Sequence, residues 1–360
     1  MLFVPTSILL LAFLVAESPA TQTPAREPHG LTAVAGIHVG HHTLEARPTG
    51  CTVVVAPNGA VAGVDVRGGA PGTRETALLD PVNLVQTVDA IVLSGGSAFG
   101  LDAATGAVRW LEEHGHGYDT GVARVPIVPA AILFDLAVGD PTIRPRAQCG
   151  YKAAAAASSS PVEEGNLGAG AGATVGKLAG PGRAMKSGLG SEDLRFDDGL
   201  VVAALAAVNA VGTVIDPADG SPVAGVRSED GSRVLRPSEL LFQQLGDPLR
   251  DLSPVESTTL VVVATNARLT KSQATKIAQM AHNGLARAIV PIHTPFDGDT
   301  IFVLGTGEWT DPESGAVDVL RLGWLASEAT VQAVLRAVRS ARGLPDLPSA
   351  SDLQSSQAIP

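Results

Sequence analysis

Only 4% of the 360 residues are aromatic, which argues against an aromatic-lined pocket. Clusters of Lys and Arg are absent and the formal net charge is −11, so a nucleic-acid or anionic-membrane surface is disfavoured. The two cysteines, Cys51 and Cys149, are too few for a disulfide framework. They can pair, but the simpler expectation is two small buried apolar side chains. No cofactor is indicated. His293, Asp297 and Asp299 fall within seven residues, yet one His and two Asp are a weak metal signal, and no metal site is assigned. Residues 171–177 mimic a phosphate loop and fail as one. Ala171 stands where the first glycine belongs, and Leu178 where Ser or Thr should follow the lysine.

What is plentiful is apolar side chain (45%) and glycine (40 residues), enough for a sizeable, closely packed core. Residues 8–16 form an apolar run followed by Ser18-Pro19-Ala20. That is the pattern of a signal peptide over residues 1–20, too short to span a bilayer. A secreted or periplasmic location is the expectation, with the cytoplasm as second choice. Residues 21–30 read as a linker. Residues 51–56 and 60–66 are β-branched runs joined by Pro57-Asn58-Gly59, a hairpin signal. A strand at 89–93 leads through Ser94-Gly95-Gly96-Ser97 into a helix over 101–113. Residues 125–136, broken by Pro126 and Pro129, form an edge strand or extended segment. Residues 200–215 are so uniformly apolar that period does not separate helix from strand. After a polar, loop-rich stretch (217–257) come a strand at 259–265, a helix capped by Thr270 and Gln273, a strand at 300–304 and a helical pattern over 317–341. Residues 343–360 read as a flexible tail. Two sheets between helical layers fit this order better than a doubly wound sheet.

Chemistry concentrates at a few positions. Ser257-Thr258-Thr259 heads the apolar run Leu260-Val261-Val262-Val263, and Asp297-Gly298-Asp299 follows 39 residues after Thr258. A hydroxyl at a strand start is ordinary inside a continuous chain. Cutting the Ser257–Thr258 bond would give Thr258 a free α-amine, able to act as base for its own hydroxyl. Two carboxylates two residues apart share a face of an extended segment, and they repel unless a cation lies between them. An ammonium or a lysine is that cation, and Lys177 closes an apolar, Gly-rich stretch (165–177). Asn209 interrupts a nearly uniform apolar run, where a buried amide must find partners. Its NH2 is a candidate oxyanion donor.

The stretches 50–54, 94–104, 125–131, 165–177, Asn209-Ala210-Val211-Gly212, Thr258-Thr259-Leu260 and Asp297-Gly298-Asp299-Thr300 occur in an order that spans residues 30–310. Together they resemble the L-aminopeptidase/D-esterase and β-peptidyl aminopeptidase family, which includes the nylon-oligomer (6-aminohexanoate oligomer) hydrolases. The resemblance implies an α+β fold of N-terminal-nucleophile-hydrolase type, a four-layer αββα sandwich. It implies a self-cleaving precursor with an α chain (21–257) and a β chain (258–360). Thr258 matches the nucleophile, Lys177 and Asn209 the supporting pair, and Asp297 and Asp299 the paired acids. Threonine with two aspartates is closer to the nylon-oligomer branch, although that branch has members with Tyr where this chain has Phe134. The partners implied are a small peptide or amide substrate, the two chains of one precursor, and a homo-oligomer, often a tetramer. Two alternatives remain: an acyltransferase of ornithine acetyltransferase type, and a processed but inactive extracellular binding protein.

Overall fold

The structure, a computed structural model, describes Glu27, residues 29–244 and residues 256–357. The expected signal peptide and most of the linker lie outside the described residues, as do 245–255 of the loop-rich stretch. Among the described residues, nine strands build the main sheet: a short one at Thr73–Arg74, and β1 (His38–Thr43), β2 (Gly50–Val66), β3 (Thr87–Ser94), β4 (Ala130–Ile132), β5 (Leu189–Arg195), β6 (Val201–Asn209), β7 (Thr258–Ala267) and β8 (Thr300–Trp309). Their order is β5-β6-β7-β8-β2-β3-β4; β1 also pairs with β2, and the short strand Thr73–Arg74 extends the β4 edge. Besides a short helix at Pro237–Gln244, the α-helices among the described residues are α1 (Ala103–Glu113), α2 (Ala147–Ala155), α3 (Lys271–Ala288), α4 (Val319–Arg339) and α5 (Ala350–Gln357).

Alternation along the strands resolves this connected sheet into layers. Leu205, Leu260, Val262 and Phe302 on β6–β8 pack against Val54 of β2 and Ile91 and Leu93 of β3, closing two half-sheets face to face. The opposite faces of β6–β8, with Ala204, Val261, Val263 and Val303, carry α3 and α4 through Ile277, Leu285, Ala333 and Ala337. Val53, Val55 and Val92 carry α1 and α2 through Ala107, Leu111 and Ala153. The result is the expected αββα sandwich. Strand β6 is apolar on both faces because each is covered, and this is why period could not classify residues 200–209. Thr270 caps α3 in a complete capping box with Gln273.

Three expectations are corrected. Residues 50–66 are not a hairpin but one 17-residue strand. Both of its halves pair with β3, with a register shift between Val55 and Ala60. The chain bulges at Pro57-Asn58-Gly59 instead of reversing, and Gly59 takes the positive φ (+74°) the bulge requires. On its other side the strand pairs first with β1 and then with β8, so it belongs to both half-sheets. Where it is described, the tail is docked through residue 350 and helical over Ala350–Gln357. Lys186 N–H donates to Pro348 O at 2.8 Å, and Ser349 and Ala350 are buried.

Cys51 and Cys149 are buried, as expected, but they are also joined in a disulfide between β2 and α2, with Cα atoms 6.2 Å apart at a sequence separation of 98. No spacing pattern announces a bond that depends on where α2 docks. A cross-link closing so long a loop restricts the unfolded chain strongly. Cys149→Ala is expected to lower the unfolding free energy by about 2–5 kcal/mol, read from denaturant midpoints under oxidising conditions. An unchanged midpoint would show that the bond contributes nothing.

Candidate active site

Strands β7 and β8 run parallel and in register from Leu260 opposite Thr300, so their N-terminal ends lie side by side. One step earlier Ser257 bridges to Asp297. Ser257 N–H donates to Phe296 O at 3.0 Å, and Gly298 N–H donates to Ser257 O at 2.8 Å. On its other side Thr258 is paired with Asn209 of β6. The Thr258 hydroxyl donates to Ser257 O at 2.5 Å. A Cβ at position 298 would sit 2.7 Å from that hydroxyl oxygen, so only glycine leaves it room.

Lys177 is 6% exposed. Its Nζ donates to Asn209 Oδ1 (2.8 Å), to Asn209 O (3.2 Å) and to Ser257 Oγ (3.0 Å). Burial pushes its pKa down to about 7 against the opposing pull of Asp297, Asp135 and Asp299. Asn209 Oδ1 also accepts from Thr174 N–H at 3.0 Å, while Nδ2 donates to Phe134 O at 2.8 Å. The lysine and the Thr174 amide are donors and the Phe134 carbonyl is an acceptor, so the amide has one consistent orientation. One N–H of the Asn209 NH2 is thus held by the Phe134 carbonyl, and its Oδ1 fixes Lys177.

Both acids are fully buried. Asp297 Oδ2 accepts from Thr294 N–H at 2.7 Å, and among the described residues its Oδ1 has no hydrogen-bond partner. Burial first, then the charge of Asp299, raises its pKa. Asp299 Oδ1 accepts from Thr259 N–H at 2.7 Å, and its Oδ2 accepts from His293 N–H (3.1 Å) and Nδ1 (2.9 Å). All six expected site residues, Ser257 included, thus converge around one peptide bond.

Sequence reasoning missed three supports. His293 was weighed only as a metal ligand. Asp135 is buried in an ion pair with Arg47 (2.9 Å) and accepts from Thr49 Oγ1 (2.5 Å) and Gly96 N–H (2.9 Å), which anchors the loop carrying Phe134. Lys186 is fully buried and donates to the carbonyls of Gly170, Ala173 and Ser187, stapling the Gly-rich loop that ends in Lys177. Burial lowers its pKa to about 7. A pocket of about 250 Å³ opens from Lys177, Thr174 and Phe134 between apolar walls that include Val138 and Leu347, with Glu256 and Asp346 in its lining. Both carboxylate residues are exposed.

Residues 29–347 match peptidase family S58. The chain belongs to that family. It is 43% identical over 347 residues to an uncharacterized aminopeptidase of Mycobacterium tuberculosis, covering 90% of this chain and 98% of the relative. It is 31% identical over 312 residues to a 6-aminohexanoate-oligomer endohydrolase of a Kocuria species, covering 84% of each. Its fold is similar to that of a Burkholderia β-aminopeptidase, with a TM-score of 0.64 at 23% identity over 93% of this chain and 94% of that one. It is also similar to the L-aminopeptidase D-Ala-esterase/amidase of Ochrobactrum anthropi, described as a variant of the Ntn hydrolase fold, with a TM-score of 0.65 at 20% identity over 92% and 94%. As a member of this peptidase family the protein is an amide hydrolase.

The two buried lysines make stability depend on pH. Folded, each loses its proton near pH 7; unfolded, each holds it to about 10.5. Between these values the unfolded chain binds more protons, so stability rises with pH. The melting temperature should climb between about pH 7 and 9, and Lys186→Met should flatten that climb. An equal slope in the variant would refute the assignment.

Proposed function

We propose that the chain is a precursor that cuts itself between Ser257 and Thr258 and then hydrolyses amides with Thr258 as an N-terminal nucleophile. The observation that carries this reading is the convergence on one peptide bond of a hydroxyl, an N–H on the carbonyl oxygen, a buried lysine and two buried carboxylates. In self-cleavage the Thr258 hydroxyl oxygen adds to the Ser257 carbonyl carbon. The C–N bond breaks, the nitrogen takes up the proton, and an ester remains on Thr258. Water hydrolyses that ester, leaving an α chain that ends at Ser257 and a β chain of residues 258–360. Support comes from Gly298 N–H, which faces the oxygen on which negative charge builds.

In the cut enzyme the Thr258 amine accepts the hydroxyl proton, and the hydroxyl oxygen attacks the substrate carbonyl to form an acyl-enzyme that water releases. Asp297 and Asp299 hold the amine as a cation. Lys177, oriented by Asn209, stabilises the oxyanion; losing such a donor costs about 2.7–4 kcal/mol of transition-state stabilisation. The substrate is an aminoacyl peptide or amide, or a 6-aminohexanoate-type oligomer. The relatives' names support this, as does a pocket whose apolar walls suit an acyl chain and whose exposed carboxylates suit an amine. Export is proposed as well. The apolar leader and the Cys51–Cys149 disulfide support it, since disulfides persist in oxidising compartments. A homo-oligomer is the remaining proposal; Leu320 and Trp324, exposed one turn apart on α4, give it an apolar patch.

The purified chain should resolve into two fragments, the smaller beginning at Thr258 by N-terminal sequencing, and Thr258→Ala should remain one chain. A Thr258→Ala sample cut at the same bond would sink the reading. Separately, Asp346→Asn should raise KM for 6-aminohexanoyl p-nitroanilide by roughly tenfold while leaving hexanoyl p-nitroanilide unchanged, the difference of about 1.4 kcal/mol expected of one charged contact. Equal effects on both substrates would remove Asp346 from amine recognition.

A further inference from the structure

His293 lies outside every role given so far, yet its geometry is constrained from four directions. Its backbone is left-handed at φ +59°, a region a non-glycine residue enters only when its surroundings impose it. That conformation brings both its N–H and its ring Nδ1 onto the same oxygen, Asp299 Oδ2, at 3.1 and 2.9 Å. The ring is backed edge-on by His282, with centroids 4.8 Å apart. His282 is buried and held by Asp65 O at 3.1 Å from its Nε2. The remaining ring nitrogen of His293, Nε2, is buried without a partner among the described residues. A proton on Nε2 would therefore be an unsatisfied donor beside an unprotonated Nδ1 facing a carboxylate, so the neutral ring carries its proton on Nδ1.

The consequence falls on the two acids unequally. Asp299 has both oxygens occupied, Oδ1 by the N–H of Thr259 and Oδ2 by His293. It is a fixed strut between the strand of the nucleophile and the loop of residues 291–299. Asp297 has one oxygen on Thr294 N–H and the other without a partner among the described residues.

We propose that His293 is a positioning residue: its Nδ1–H locks Asp299 onto β7, and this leaves Asp297 as the carboxylate that receives the freed Thr258 amine. The inference rests on the reading of Thr258 as a terminal nucleophile. The paired acids are then not equivalent. Asp299 supplies a stationary charge, and Asp297 Oδ1 supplies the contact.

The test compares His293→Ala and His293→Asn, the amide of Asn carrying an N–H where His carries Nδ1–H. With the full-length, self-processed enzyme and an aminoacyl p-nitroanilide, His293→Ala should lower kcat by about 10–100-fold with KM within about twofold, and His293→Asn should recover all but about fivefold. A kcat unchanged in His293→Ala, or His293→Asn no better than His293→Ala, overturns the proposal. Long-range 1H–15N spectra of the 15N-histidine-labelled parent chain give a readout that needs neither activity nor a folded alanine variant. The His293 resonances, identified by their loss in His293→Asn, should report the proton on Nδ1; a proton on Nε2 overturns the assignment. A parent chain that neither cuts itself nor hydrolyses amides would sink the proposed function, while the spectrum would still decide the histidine–aspartate bond.

Discussion

The site depends on one short parallel bridge, Ser257 against Asp297. Two backbone hydrogen bonds make it, one into Phe296 O and one from Gly298 N–H. Everything downstream of it follows from parallel pairing. Because β7 and β8 run in the same direction, their first residues lie together, and a parallel connection needs a crossover between them. Helix α3 is that crossover. The sequence separation of 39 from Thr258 to Asp297 is the length of a strand, a capped helix and a return. An antiparallel hairpin would have brought the start of one strand to the end of the other and separated the hydroxyl from the acids.

The second constraint is charge. Lys177, Lys186, Arg47, Asp135, Asp297 and Asp299 are all buried, and each buried ion carries a desolvation cost that a hydrophobic replacement would avoid. Such groups persist only where their hydrogen bonds are nearly complete. Arg47 and Asp135 satisfy one another and the loop around them, and Lys186 is satisfied by carbonyls alone. The exception is Asp297, bridged to Ser257 through its backbone, whose Oδ1 has no partner among the described residues. Among these buried ions, that open valence is where the proposed Thr258 amine would be received.

Thr258, Lys177, Asn209 and the paired acids were legible in the sequence because each breaks its local pattern: a hydroxyl before valines, a lysine and an amide in apolar runs, two adjacent carboxylates. Their mutual arrangement came from the order of motifs rather than from any local rule. What could not be read was long-range. The orientation of Asn209 is decided by the carbonyl of Phe134, 75 residues away, and the disulfide by the docking of α2 on β2. The continuity of β2 is decided by β3, which pairs with both of its halves and leaves no place for a turn. His293 was visible in the same seven residues as the acids, but its role depends on a left-handed backbone and on His282, neither of which has a sequence signature.

The choice of threonine at 258 follows from the same crowding. Its β-branched side chain is stiff about χ1, and it is 3% exposed, paired to Asn209 on one side and lying over Gly298 on the other. A hydroxyl on an unbranched side chain at such a position samples three rotamers; on threonine, within a strand, the branch narrows that choice and holds the oxygen against Ser257 O. Gly298 completes the arrangement from below, since any Cβ there would displace the hydroxyl. Restricted rotation and a missing side chain thus act together, and the hydroxyl proposed to react is held in place by the sheet.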